Sequence, residues 1–174
     1  SRWLGESFSL FQSYEISITL SISSLGKSKT FFGISRQSLS TVNKSKVYCN
    51  TIYYCFDKDL CLYFASDYTT KHAENIMANS NVAVCVWDQP QSYGQNIGLQ
   101  IEGQCYLVSG INLFPAWSLY IKRYNIFQQK IGSFENLRDK IVGIRLYKIV
   151  PKSIKITNSS LFGDKAILYE QNWI

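Results

Sequence analysis

Alternation of apolar and polar residues is the dominant signal along this chain. Ile16, Ile18, Leu20 and Ile22 alternate with Ser17, Thr19, Ser21 and Ser23, the period-two pattern of a half-buried strand. Strand signals crowd together over Val47–Phe56 and Leu60–Ala65, separated by a turn at Asp57-Lys58-Asp59. Apolar runs return at Val82–Trp87 and Ile97–Val108. In the second run Ile97, Leu99, Ile101, Cys105 and Leu107 share one face, with Gln100, Glu102 and Gln104 on the other. Gly103 falls on the apolar face, where a strand glycine marks a bulge or bend. The chain closes with strands expected near Lys140–Val150, Ser153–Thr157 and Ala166–Glu170.

Helical periodicity is rarer. Arg2–Ser13 places Trp3, Leu4, Phe8 and Phe11 roughly on one side, and Ala73–Ala78 is a short helix between two strands. Leu113, Trp117, Tyr120, Ile121 and Tyr124 recur at helix spacing, a stripe that reads as core or subunit interface. Ser24–Lys46 is polar and reads as a long loop, with Phe31–Ile34 as a brief strand inside it. Many strands and a few short helices make a β-rich α+β protein, and closing the sheet into a barrel removes its exposed edges. A length of 174 residues fits one domain over 1–174.

Composition narrows the classes. Hydrophobic residues at 46% and charged ones at 17% describe a folded chain. The net charge of +6 is spread over scattered Lys and Arg, a solvated basic surface rather than a nucleic-acid stripe. Cys49, Cys55, Cys61, Cys85 and Cys105 form an odd set in strand-like segments, without a C-x-x-C. With His72 as the lone histidine they make no metal site, and read as small buried hydrophobes in a reducing compartment. No apolar run reaches membrane-span length, and Ile16–Ile22 alternates unlike a signal peptide, so a cytoplasmic protein is expected. The chain opens on Ser1 rather than Met, which leaves room for a start upstream.

Candidate chemistry gathers between Leu60 and Trp87. An apolar strand runs through Ser66 into a turn holding Thr69, Thr70 and Lys71, and a helix begins there. Unpaired N–H groups at a helix start, its dipole, two hydroxyls and an ammonium all favour an anion such as a phosphate. Taken alone, these residues read first as a plain helix start that Thr69 or Thr70 caps, and second as a phosphate site. His72 reads as a cap-region or phosphate-side group before it reads as a catalyst. Glu74 and Glu102 sit on polar faces, no acid–base pair stands out, and the catalytic residues stay unassigned.

Val47–Tyr54, Leu62–Ser66, Thr69-Thr70-Lys71-His72, Asn79–Ala83 and Gln100–Gly103 together resemble the pyridoxamine 5′-phosphate oxidase-like, FMN-binding split-barrel superfamily. The nearest likeness is to a small, poorly characterised bacterial subgroup. The resemblance covers about Val47 to Tyr124, continues more weakly through Leu161–Lys165 and is thin over residues 1–46. It implies a six-stranded antiparallel split β-barrel with a few short helices, a homodimer, and FMN at the subunit interface. Deazaflavin or haem replaces FMN in related families.

By the same resemblance, Thr69, Thr70 and Lys71 match the turn that holds the FMN phosphate. Thr70 stands where Arg is common, which loses a bidentate fork. Phe64, Ala65 and Ser66 match the segment beside the ribityl chain and phosphate. Asn50, Thr51, Ile52 and Tyr53 match the strand edging the flavin ring, and Gln100 reaches toward it from the long strand. The C-terminal Trp and Arg of the oxidase proper find only Trp173, without an Arg, so pyridoxamine phosphate oxidation is not expected and Trp173 reads as packing. The expected function is an FMN-dependent oxidoreductase acting on a small molecule. The alternatives are a non-catalytic flavin-binding module and, behind it, a nucleic-acid-binding β-barrel.

Overall fold

The computed structural model describes residues 36–57, 59–87, 93–94, 96–124 and 143–170. The expected elements at Arg2–Ser13, Ile16–Ile22 and Phe31–Ile34, and Trp173, lie outside them. Strand β1 is Arg36–Asn43, β2 Lys46–Tyr53, β3 Cys55–Phe56 and β4 Leu62–Asp67. Helix α1 spans Lys71–Ala78, followed by β5 at Asn81–Trp87 and β6 at Ile97–Leu107. A 3-10 turn at Gly110–Asn112 leads into α2, Leu113–Tyr124. Then come β7 at Ile144–Asn158, the one-turn helix α3 at Ser159–Phe162, and β8 at Ala166–Glu170. The sheet order is β2-β1-β5-β6-β7-β4-β3, with β8 also on β7, and each pair is antiparallel.

This is the β-rich split-barrel architecture expected, with eight strands among the described residues rather than six. Two expectations need correction. Residues 36–43, inside the expected 24–46 loop, form β1, which pairs along its length with β2. The two closing strands are one, β7, which runs through Pro151 because the register shifts beside it between Glu102 and Gly103. A Cβ at Gly103 would lie 2.4 Å from the Val150 carbonyl oxygen, so only glycine lets the two backbones meet at that bulge.

Period two explains the core. Val82, Val84 and Val86 of β5, Leu99 and Ile101 of β6, and Ile149, Ile154 and Ile156 of β7 turn to one side with Leu39, Ile52 and Phe64. Each buried aliphatic side chain is worth roughly 1.5–3 kcal/mol against exposure. A second cluster forms where Ala116 and Tyr120 of α2 cover Cys55, Cys61, Tyr63 and Leu146, with Trp117 and Tyr124 packed beside it. The aromatic stripe of α2 is thus packing, although Leu113 at its start is exposed. Cys49 and Cys85 are exposed on the opposite sheet face, against the expectation of five buried thiols, and Leu107 is exposed where β6 ends. Among the described residues no helix is long and apolar enough to cross a membrane.

Candidate functional site

The corner between β4 and α1 is built by hydrogen bonds within a few residues. Asp67 ends β4, and its Oδ1 accepts from the Thr69 N–H at 2.8 Å and the Thr69 hydroxyl at 2.7 Å. Those two donors hold the Asp67 carboxyl below the usual carboxylate range. Thr70 sits at the N-cap position of α1 but gives the helix no side-chain cap; its hydroxyl donates back to the Asp67 carbonyl at 2.7 Å. The N-terminus of α1 therefore keeps its first-turn N–H groups clear of any Thr70 cap. Lys71 is exposed, and its ammonium donates to Glu74 at 3.1 Å, one helical turn on.

Beneath this turn lies a small polar knot. The Ser66 hydroxyl is 2.7 Å from His72 Nε2 and 3.2 Å from the Thr70 hydroxyl, which is itself 3.2 Å from Nε2. His72 is buried against Phe64, and desolvation pushes its imidazole below its ordinary 6.5. Arg145 faces Ser66 across the β4–β7 ladder and stacks its guanidinium 5.5 Å from the centre of the Tyr68 ring. Arg145 lowers the Asp67 pKa further, so a guanidinium does stand at this corner. Its position in sequence, 75 residues beyond Thr70, hid it; only the pairing of β4 with β7 reveals it.

The other expected residues divide by strand face. Phe64 is fully buried in the core and stacks on Tyr147 at 5.1 Å, while Ala65 packs toward α2. On β2, Ile52 points into the core, whereas Thr51 and Tyr53 are exposed. Asn50 is half-buried, and its Oδ1 is buried without a partner, an acceptor left for a bound group or water. β2, which carries Asn50–Tyr53, lies against both β4 and α1. Gln100 lies on a different stretch of the sheet from Ser66. It is exposed on β6 opposite Lys155 of β7, while Ser66 is opposite Arg145, ten residues earlier on the same strand. That is roughly 30 Å of strand path.

A curled antiparallel sheet with a helix set between its β1, β2 and β6 strands defines a split-barrel protein. Residues 33–148 match the family model described as pyridoxamine 5′-phosphate oxidase. The chain belongs to that family. A UPF0306 protein of Yersinia pseudotuberculosis is 27% identical over 121 residues, which are 68% of this chain and 74% of the relative. Two solved structures share the fold at low identity. A heme-binding protein from Mycobacterium smegmatis aligns with a TM-score of 0.60 and 8% identity, over 78% of this chain and 52% of that one. A FAD-binding protein from Mesorhizobium loti aligns with a TM-score of 0.52 and 16% identity, over 71% and 86%.

Proposed function

We propose that the chain binds FMN, with its phosphate at the β4–α1 corner, and acts as a flavin-dependent oxidoreductase on a small molecule. The observation that carries this reading is the start of α1, a helix N-terminus that begins at Lys71 without a Thr70 side-chain cap, with Arg145 paired to Ser66 at the end of the strand before it. The donor set fits a phosphate in part. Backbone N–H groups, Lys71 and Arg145 suit it, and the exposed Lys71–Glu74 pair is worth under about 1 kcal/mol, so the ammonium is available to a dianion. Thr69 does not suit it, because both of its donors are committed to Asp67.

When bound, the flavin supplies the electron transfer. The chain's residues position it. Lys71 and the α1 N-terminus hold the phosphate, Ser66 and the His72 imidazole shape the wall below, and the Asn50 amide offers a buried acceptor. Gln100 reaches the same flavin only from a second copy, so the reading includes a homodimer with the cofactor between protomers. Haem is the competing cofactor. The sole histidine speaks against an imidazole ligand, since Nε2 of His72 is buried and already engaged by Ser66 and Thr70.

Titration with FMN, followed by the visible spectrum and by quenching of flavin fluorescence, tests the proposal. Lys71→Ala should weaken binding by about ten- to a hundredfold, the loss of one charged contact of roughly 1.5–3 kcal/mol. Absence of saturable FMN binding, or equal binding by the variant, overturns the assignment. Bound flavin that NAD(P)H does not reduce under anaerobic mixing moves the function to a non-catalytic carrier.

A further inference from the structure

A cavity lies on the sheet away from the β4–α1 corner. Lys148 on β7 is opposite Tyr63 on β4 and Tyr106 on β6, so one cross-strand row reads Tyr63–Lys148–Tyr106. Helix α2 and the 3-10 turn before it lie over this row and leave a cavity of about 430 Å³. That volume is within the range of small-molecule sites. Pro115, Ala116 and Leu119 of α2 form an apolar wall facing the row, and Ser109 and Asn112 add polar groups.

Lys148 is the chemical centre of this cavity. Its ammonium sits 5.7 Å from the centre of the Tyr63 ring, a cation–π contact. Among the described residues no carboxylate pairs with it. Asp57 also lines the cavity, and its carboxylate accepts from the Asp59 and Cys61 N–H groups at 2.9 and 3.0 Å and from the Tyr63 hydroxyl at 2.8 Å. Those bonds fix the β3–β4 turn and hold Tyr63 in place. A half-buried cation that no carboxylate among the described residues holds in an ion pair, beside a tyrosine face and opposite an apolar wall, suits an anion on a flat apolar body.

We propose that this cavity binds a small aromatic carboxylate, its carboxylate on Lys148 and its ring between Tyr63 and the α2 wall. Neither FMN nor a second copy of the chain is needed for it, so it stands or falls apart from the flavin reading. Benzoate is the probe, titrated calorimetrically into the full chain, with benzamide as its neutral counterpart. Benzoate should bind saturably, benzamide at least about tenfold more weakly, and Lys148→Met should lose a similar factor while Lys148→Arg restores binding. Ser109→Trp, at an exposed position, should block the mouth and weaken benzoate even if Lys148→Met does not fold. No saturable benzoate binding at millimolar concentration, equal affinity for benzamide, or undiminished binding by a folded Lys148→Met or Ser109→Trp variant overturns the proposal.

Discussion

Under the proposed function, Asp67 sets how well the β4–α1 corner receives a phosphate. Its carboxylate occupies both Thr69 donors and stays ionised because they hold its pKa down. A phosphate at the start of α1 would meet that charge directly. Asp67→Asn should therefore tighten FMN binding several-fold, measured by fluorescence quenching, whereas unchanged affinity would place the phosphate elsewhere. His72 gives the corner a pH dependence. Its folded pKa is lowered, so below 6.5 the unfolded chain takes up the proton first, and stability falls as pH drops through that region toward the folded value. Melting temperatures should decline from pH 7.5 to pH 5 more steeply in the wild type than in His72→Gln; equal slopes would assign the effect to other groups. Residue types here were legible in the sequence, as the strand, the hydroxyl turn and the lysine show. Their commitments were not: Thr69 turned to Asp67, Thr70 left the helix uncapped, and Arg145 arrived through a distant strand. Hydrogen-bond choice among neighbouring groups depends on backbone torsions that residue type alone does not determine.

Strands with apolar inward faces were readable from their alternation, as β5 and β6 demonstrate. β1 was not, because its inward face is Gln37, Leu39 and Thr41, with serines outward at 38 and 40. Only one inward residue is apolar, so no hydrophobic period exists to be seen. Tertiary pairing with β2 and β5 makes it a strand nonetheless. Thr41 is compensated by the Asn75 amide of α1 at 3.0 Å. Gln37 is not: it is 0% exposed, and both Nε2 and Oε1 lack partners. Two unsatisfied amide atoms in a core cost about 1–3 kcal/mol each, so Gln37→Leu should raise the stability by on the order of 1 kcal/mol or more in urea unfolding. A loss of stability would mean that the amide holds something the side chain needs, such as an internal water.

At the scale of the whole molecule, the outward face of the sheet is open among the described residues. The register strings Thr51, Ser38, Cys85, Gln100, Lys155 and Leu168 into a single row across β2, β1, β5, β6, β7 and β8. Ser38 is half-buried and the other five are exposed. Thr51 and Gln100, both expected at the flavin, share this face, while the β7 partners of Gln100 and Ser66, Lys155 and Arg145, are ten residues apart. Under the proposed dimer, the face of one protomer closes the corner of the other, and cofactor affinity becomes tied to assembly. Cys85→Glu tests that link. Its side chain is exposed, so the isolated fold tolerates a charge there, but an isologous interface would bury two carboxylates against each other's surroundings. Sedimentation should show the wild type as a dimer and the variant as a monomer, with FMN affinity falling at least about tenfold in step with dissociation. Diluting the wild type should release flavin in the same way. A monomeric Cys85→Glu protein that keeps its full affinity for FMN would show that one chain holds the cofactor alone, and Gln100 would have no part in it.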